Sequence, residues 1–191
     1  RAQWQKRVDD SKKKKDSRKN LRKFKRRQAE ELPATDFRVM ISRVVASDPT
    51  FPVLDLSNHF GMHGLSPAQR VRALEKLAHG RCLEMVKLKQ LKLDDACAPA
   101  LVALLRSKHP LEAVSFELNN LGEAAIIEIA HAIKGHKHLR ELNLANQRSA
   151  ISTTAMQAMV DAMEDVPSLV VLNLGDVRDA GMRWRVQAAT T

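Results

Sequence analysis

The chain has 191 residues, 44% of them hydrophobic, which is enough for one sizeable core and an appendage. Its formal net charge of +10 is unevenly placed: residues 1–28 hold fourteen Lys or Arg against Asp9, Asp10 and Asp16, a net of +11, so the rest of the chain sums to −1. No apolar run reaches the roughly 18 residues of a membrane span or forms a secretory h-region. The two cysteines, Cys82 and Cys97, lack metal-ligand spacing and exclude a disulfide framework.

Residues 1–32 form a basic N-terminal arm, helical or extended, outside the core. Lys12, Lys13, Lys14, Lys15, Arg18, Lys19, Arg22, Lys23, Lys25, Arg26 and Arg27 dominate it, with only Trp4, Val8, Leu21 and Phe24 as large apolar residues near them. Such a segment cannot bury a core of its own. Its like charges repel one another until an anion neutralises them, so these cations are the predicted polyanion-binding residues. RNA and an acidic protein surface such as a filament both fit that description; a plain solvated tail is the alternative.

Residues 33–191 are predicted to form one folded unit. In residues 36–47, Phe37, Met40, Ile41, Val44 and Val45 recur at helical spacing, an amphipathic helix placed to cap the first repeat. Repeats start near residues 51, 83, 111, 139 and 169. The pattern L-x-x-(L/V)-x-(L/F) is carried by Leu83-Val86-Leu88, Leu111-Val114-Phe116, Leu139-Leu142-Leu144 and Leu169-Leu172-Leu174, after a degenerate copy at Phe51-Leu54-Leu56, in steps of 32, 28, 28 and 30 residues. Helical positions align between copies: Ala98, Ile126 and Met156; Leu101, Ile129 and Met159; Leu104, Ala132 and Ala162; Leu105, Ile133 and Met163. One strand and one helix per unit cannot cover their own apolar faces, so the units must stack. The predicted fold is α/β: a right-handed leucine-rich-repeat solenoid of about five strand–helix units with a parallel sheet on the concave face.

Helix starts are punctuated. Ser66-Pro67-Ala68-Gln69 reads as a capping box, and Asp95 and Ser152 as N-caps. Asn58 to Gly64, with two glycines, reads as a loop, so the four-residue spacing of His59 and His63 carries no metal site. His136 and His138 read as solvated turn residues. Gly181 to Val186 is expected to begin a last helix, with Trp184 folded over the final strand.

The 30-residue fourth step, Asn146-Gln147 directly after its strand, the strand at Leu169 and a closing G-x-R-x-R at Gly181–Arg185 resemble the carboxy-terminal leucine-rich domain of tropomodulins and leiomodins. The likeness covers roughly residues 83–187. Ribonuclease-inhibitor-type repeats also run to 28 residues, with an Asn or Cys ladder after the strand; only Asn119 fits that ladder. The tropomodulin resemblance implies docking on actin at a filament end through positions matching Asn146, Gln147, Arg148, Arg183 and Arg185. Within the lysine-rich residues 1–32 there is no counterpart of that family's tropomyosin-binding helices.

The strand positions directed at the concave face include Lys87, Lys89, Glu117, Glu141 and Asn143, a mixed-charge surface poor in aromatic anchors and suited to modest protein docking. No Gly-rich phosphate loop or nucleophile signature occurs, so the expectation is a non-enzymatic scaffold module with no cofactor, metal, membrane or small-molecule substrate. Its partner is a protein of a filament or large complex, actin being the one implied by resemblance. The alternative is a ribosome-type ribonucleoprotein component whose arm binds RNA. The expected location is cytoplasmic and cytoskeleton-associated, with organellar targeting left open by a first residue that is not methionine.

Overall fold

A computed structural model describes residues 35–175. Five three-residue strands, β1 (Val53–Asp55), β2 (Met85–Lys87), β3 (Ala113–Ser115), β4 (Glu141–Asn143) and β5 (Val171–Asn173), form one parallel sheet in sequence order. Every neighbouring pair is in register, so Leu54, Val86, Val114, Leu142 and Leu172 make one row across the sheet. Each of the five is at most 6% exposed, with its two strand neighbours turned outward, as period-two alternation requires.

The ladder continues one residue past the strands. Leu56 N–H donates to Lys87 O, Leu88 to Ser115 O, Phe116 to Asn143 O and Leu144 to Asn173 O, at 2.8–2.9 Å. These four donors are the second apolar row predicted from the repeat, and all four are buried.

Helices cover the other side. Besides α1 (Phe37–Val45) and a single turn α2 (Phe60–His63), they are α3 (Pro67–Glu75), α4 (Ala98–Leu105), α5 (Glu123–Ile133) and α6 (Thr153–Glu164). Helices α3 to α6 pack each on the next. All twelve helix positions that align between the repeats are buried, which is why a helix of two or three turns suffices in each unit: stability comes from stacking, not from helix length.

Capping departs from the sequence reading at one place. Ser66 and Gln69 form the reciprocal capping box of α3, with Pro67 in its first turn, and Ser152 Oγ accepts from Ala155 N–H at 3.2 Å. Asp95, however, opens a 3₁₀ turn, Asp95–Cys97, and caps nothing in its own repeat. Its Oδ1 accepts from Gly122 N–H at 2.6 Å, at the start of α5, where Gly122 has no side chain to cap with. A Cβ on Gly122 would lie 2.7 Å from Asp95 Oδ2, so a side chain there would push the carboxylate aside. The stack thus borrows a cap from the preceding repeat.

Helix α1 closes the first repeat by packing on the 3₁₀ turn Lys76–His79. Its N-cap Asp36 accepts from Arg38 N–H at 2.8 Å. Ile41 and Val44 are buried, whereas Val45, predicted in the same stripe, is 44% exposed. The helix ends at Val45, one residue past the face that Val44 presses against the neck at Gly80, where the Val44 carbonyl leaves no room for any Cβ. The stretch Asn58–Gly64 is not plain loop either. His59 Nδ1 accepts from Gly61 N–H at 3.1 Å and so caps α2, while its Nε2 bonds Thr35 O at 2.8 Å and its ring meets Phe37 edge-on at 5.9 Å.

Candidate interaction surface

The register fixes what the concave face presents. One outward row is Val53, Met85, Ala113, Glu141 and Val171; the other is Asp55, Lys87, Ser115, Asn143 and Asn173. Lys87 and Glu141 are exposed, and Asn143 is half-buried. Part of Asn143 is already committed: its Oδ1 accepts from Ala145 N–H at 3.0 Å. Asp55 and Asn173 close the same turn two residues on, with Ser57 and Gly175. Short Asx side chains at these ends fold the chain off the sheet.

Beyond the strands three predicted residues from three successive repeats meet. Lys89 Nζ lies 3.1 Å from Glu117 Oε2, and Asn146 Nδ2 donates to Glu117 Oε1 at 3.2 Å. With both ends solvent-accessible, the ion pair contributes at most about 1 kcal/mol, so these groups remain available to a partner.

Gln147 is placed differently. Its Oε1 accepts from Leu121 N–H at 3.1 Å, and its Nε2 donates to Phe116 O at 3.0 Å and Leu144 O at 2.9 Å. One repeat earlier Asn119, buried, does the same work: Oδ1 accepts from Leu91 and Leu93 N–H at 2.9 and 3.1 Å, and Nδ2 donates to Leu88 O and Phe116 O, both at 2.8 Å. Gln147 is therefore a second rung of the ladder that the sequence assigned to Asn119 alone. Its amide is spent within the fold. Neighbouring Arg148 is exposed, with no ion-pair partner among the described residues.

The strand-to-helix edge carries two apolar residues that the sequence reading passed over. Phe60, first residue of α2, is 90% exposed, and Leu118 is 40% exposed. Leu118 also has φ +55°, as do its equivalents Asn58, Gln90 and Asn146 at +51°, +56° and +59°, each two residues past the second buried row. Asparagine tolerates this left-handed conformation; leucine does so at a cost of roughly 1–2 kcal/mol. The signal was present in the repeat, since Leu118 stands where the other copies carry a polar residue.

The histidines and cysteines take structural places. His63 Nε2 bonds Asn58 Oδ1 at 3.0 Å, and among the described residues no cluster of three or more His, Cys, Asp or Glu could hold a metal. Cys82 and Cys97 are free thiols, both pushed up by burial. His136, predicted as solvated, is half-buried: its Nδ1 accepts from Leu139 N–H at 3.1 Å, and burial followed by the charge of His138 lowers its pKa. His109, unmarked in the sequence, is 4% exposed, with Nδ1 accepting from Leu83 N–H at 3.1 Å and Nε2 bonding Leu77 O at 2.6 Å. No helix among the described residues is long and apolar enough to cross a membrane. The arm from Lys12 to Arg27, together with Arg183, Trp184 and Arg185, lies outside the described residues.

Comparison with known proteins agrees with this geometry. Residues 33–191 match the model of the TMOD/LMOD leucine-rich domain. The solved tropomodulin C-terminal domain of Caenorhabditis elegans superposes with a TM-score of 0.71 at 22% identity, over 82% of this chain and 92% of that one. The leiomodin-1 Actin-Binding Site 2 does so with a TM-score of 0.71 at 20% identity, over 83% and 89%. No curated protein sequence matches. At such identities the superpositions speak for the fold, and the family match spans most of the chain: the protein belongs to the tropomodulin and leiomodin leucine-rich-domain family.

Proposed function

We propose that the chain is a non-enzymatic docking module that binds an actin-class cytoskeletal protein through the strand-to-helix edge of its solenoid and the adjoining concave face, while the basic arm anchors on an acidic surface of the same assembly. The observation that carries this reading is family membership over residues 33–191, with a relative of the same fold described as an actin-binding site. The chemistry of the edge supports it. An aromatic ring left 90% in water at Phe60 and the exposed guanidinium of Arg148, without an ion-pair partner among the described residues, are residue types that anchor interfaces, and Leu118 adds an exposed apolar side chain beside them. Lys87, Lys89, Glu117, Glu141, Asn143 and Asn146 then supply a polar rim.

The arm's part is electrostatic. Because the rest of the chain is close to neutral, long-range attraction to an acidic partner is concentrated in residues 1–28. A sheet open to solvent along its concave face is also a poor place to exclude water from a reaction, in keeping with a binding role.

Co-sedimentation of the full chain with F-actin, microtubules and structured RNA over a salt series tests the reading. Expected is saturable binding to F-actin of which only a salt-sensitive part is lost when Lys12, Lys13, Lys14 and Lys15 are all changed to Glu. Absence of F-actin binding, with steeply salt-dependent RNA binding abolished by the same changes, would overturn it in favour of a ribonucleoprotein role.

A further inference from the structure

The opposite edge of the solenoid, where helices return to strands, holds a cavity of about 300 Å³ that the proposed docking surface does not use. It lies between the ends of α4 and α5 and the turns after them, and is lined by Arg106, His109, Lys134, His136, Lys137 and His138 among others, with no carboxylate in its lining. A second hollow of about 270 Å³ shares Lys137 and His138 and adds Arg140 opposite Glu112. This is a local concentration of cations on a body whose charge otherwise nearly cancels.

The lining groups divide by what they are already doing. His109 has both ring nitrogens bound to backbone and serves as floor. Ser107 Oγ donates to Leu104 O, and Lys134 is paired with Asp165 at 3.1 Å. Arg106 and Lys137 have no ion-pair partner among the described residues. Because His136 Nδ1 accepts from Leu139 N–H, the neutral ring carries its proton on Nε2, and that donor has no acceptor among the described residues.

Helix-end electrostatics explain only part of the cluster. Arg106 and Lys134 are C-cap residues, where a cation complements the helix carbonyls. His136, Lys137 and His138 come after Gly135, whose φ of +72° turns the chain away from the helix, so the helix end does not account for them. A guanidinium, an ammonium and an imidazole N–H around a hollow of this size are the donors that bind compact phosphorylated groups.

We propose that this edge binds a compact anion bearing two or more phosphate groups, held by Arg106, Lys137 and the Nε2–H of His136. The anion is a soluble polyphosphate or the headgroup of a phosphorylated lipid; the contacting chemistry is the same.

Histidine ring NMR signals of the full chain, titrated with inositol 1,4,5-trisphosphate at fixed pH, test this. The chain has seven histidines and none lies in residues 1–32, so the reporting rings belong to the folded body and not to the basic arm. The signals of His136 and His138 should move along a saturable curve while those of His59 and His63, on the other edge, stay. Arg106→Glu combined with Lys137→Glu should weaken the response about tenfold or more, and Lys137→Gln alone should weaken it less. Unmoved His59 and His63 signals in these variants, away from the cavity, certify the fold. Vesicles of phosphatidylcholine with phosphatidylinositol 4,5-bisphosphate form the second arm, tested on the chain with Lys12, Lys13, Lys14 and Lys15 all changed to Glu: binding lost when the double variant is added identifies the lipid source, and a response to the soluble headgroup alone identifies the soluble one. Unmoved His136 and His138 signals, or equal movement in the double variant, would overturn the proposal.

Discussion

Replacing Asn119 by alanine removes the group on which two repeats are hung. In the wild type the side chain satisfies the N–H groups of Leu91 and Leu93 and the carbonyls of Leu88, Phe116 and Glu117. Two of the carbonyls keep another donor, since Gln147 Nε2 reaches Phe116 O and Gln90 N–H reaches Glu117 O. The two N–H groups and Leu88 O are left without the bonds described, at residues that are all buried. Each orphaned buried polar group costs about 1–3 kcal/mol, partly relieved if water enters, so the total should be about 3–5 kcal/mol. That is a large share of the roughly 5–15 kcal/mol that holds a domain together. Urea unfolding followed by circular dichroism measures it, with Asn146→Ala, exposed but at a left-handed backbone position in the next repeat, expected to cost less, about 1–2 kcal/mol. Asn119→Asp sharpens the test: a carboxylate keeps the acceptors but turns oxygen toward the carbonyls that Nδ2 now serves, so it should be at least as damaging near neutrality. A cost below about 1 kcal/mol for Asn119→Ala would refute the idea that the side chain links the repeats.

Other consequences can be measured on the same footing. Leu142→Ala, in the central buried row, should cost about 2–5 kcal/mol, whereas Asn143→Ala should cost about 1 kcal/mol or less for its turn bond; similar costs at both would contradict the strand alternation. Leu118→Asn should raise stability by about 0.5–1 kcal/mol by relieving the left-handed backbone, and a loss would show that the leucine's contacts outweigh its strain. Burial holds the His109 pKa below its ordinary value, against the opposing bond to Leu77 O, and His136 shifts the same way. The unfolded chain therefore takes up protons first. The stability tied to these neutral rings is complete above the ordinary histidine pKa of about 6.5 and declines as pH falls through and below it. His109→Gln should flatten the pH dependence of the urea midpoint in that window; an unchanged slope would show that the ring is not held neutral.

What the sequence discloses is what lies within one repeat. Spacing alone located the Leu54–Leu172 row and the twelve buried helix positions, because period two and period 3.6 are written into consecutive residues. Contacts between repeats were less legible. Asp95 looks like a cap for its own helix, and only the stack reveals that it serves Gly122 twenty-seven residues later. Gln147 looks like a loop residue, since its rung needs the longer side chain that a glutamine supplies where Asn119 uses a shorter one. His109 carries no mark because its two partners are distant backbone groups, Leu77 of the preceding unit and Leu83 at the start of its own. Helix α2 is too short to nucleate from propensity and depends on the His59 cap and the Phe37 contact. For the interaction surface, charge and polarity pointed to Lys89 and Glu117 and the tropomodulin resemblance to Asn146, which the fold does bring together. The exposed Leu118 was hidden because an apolar residue in a leucine-rich pattern is read as core by default, and Phe60 because it stands in a stretch that reads as loop.

The most direct test of the account is the affinity of the full chain for F-actin, measured by co-sedimentation for the wild type and for Phe60→Ala combined with Arg148→Glu. Both positions are exposed and outside the core, so folding should be unchanged and circular dichroism can verify it. Docking by the strand-to-helix edge predicts affinity about tenfold weaker or worse in the double variant, as for loss of an aromatic or arginine anchor. Wild-type affinity in a folded double variant would contradict it.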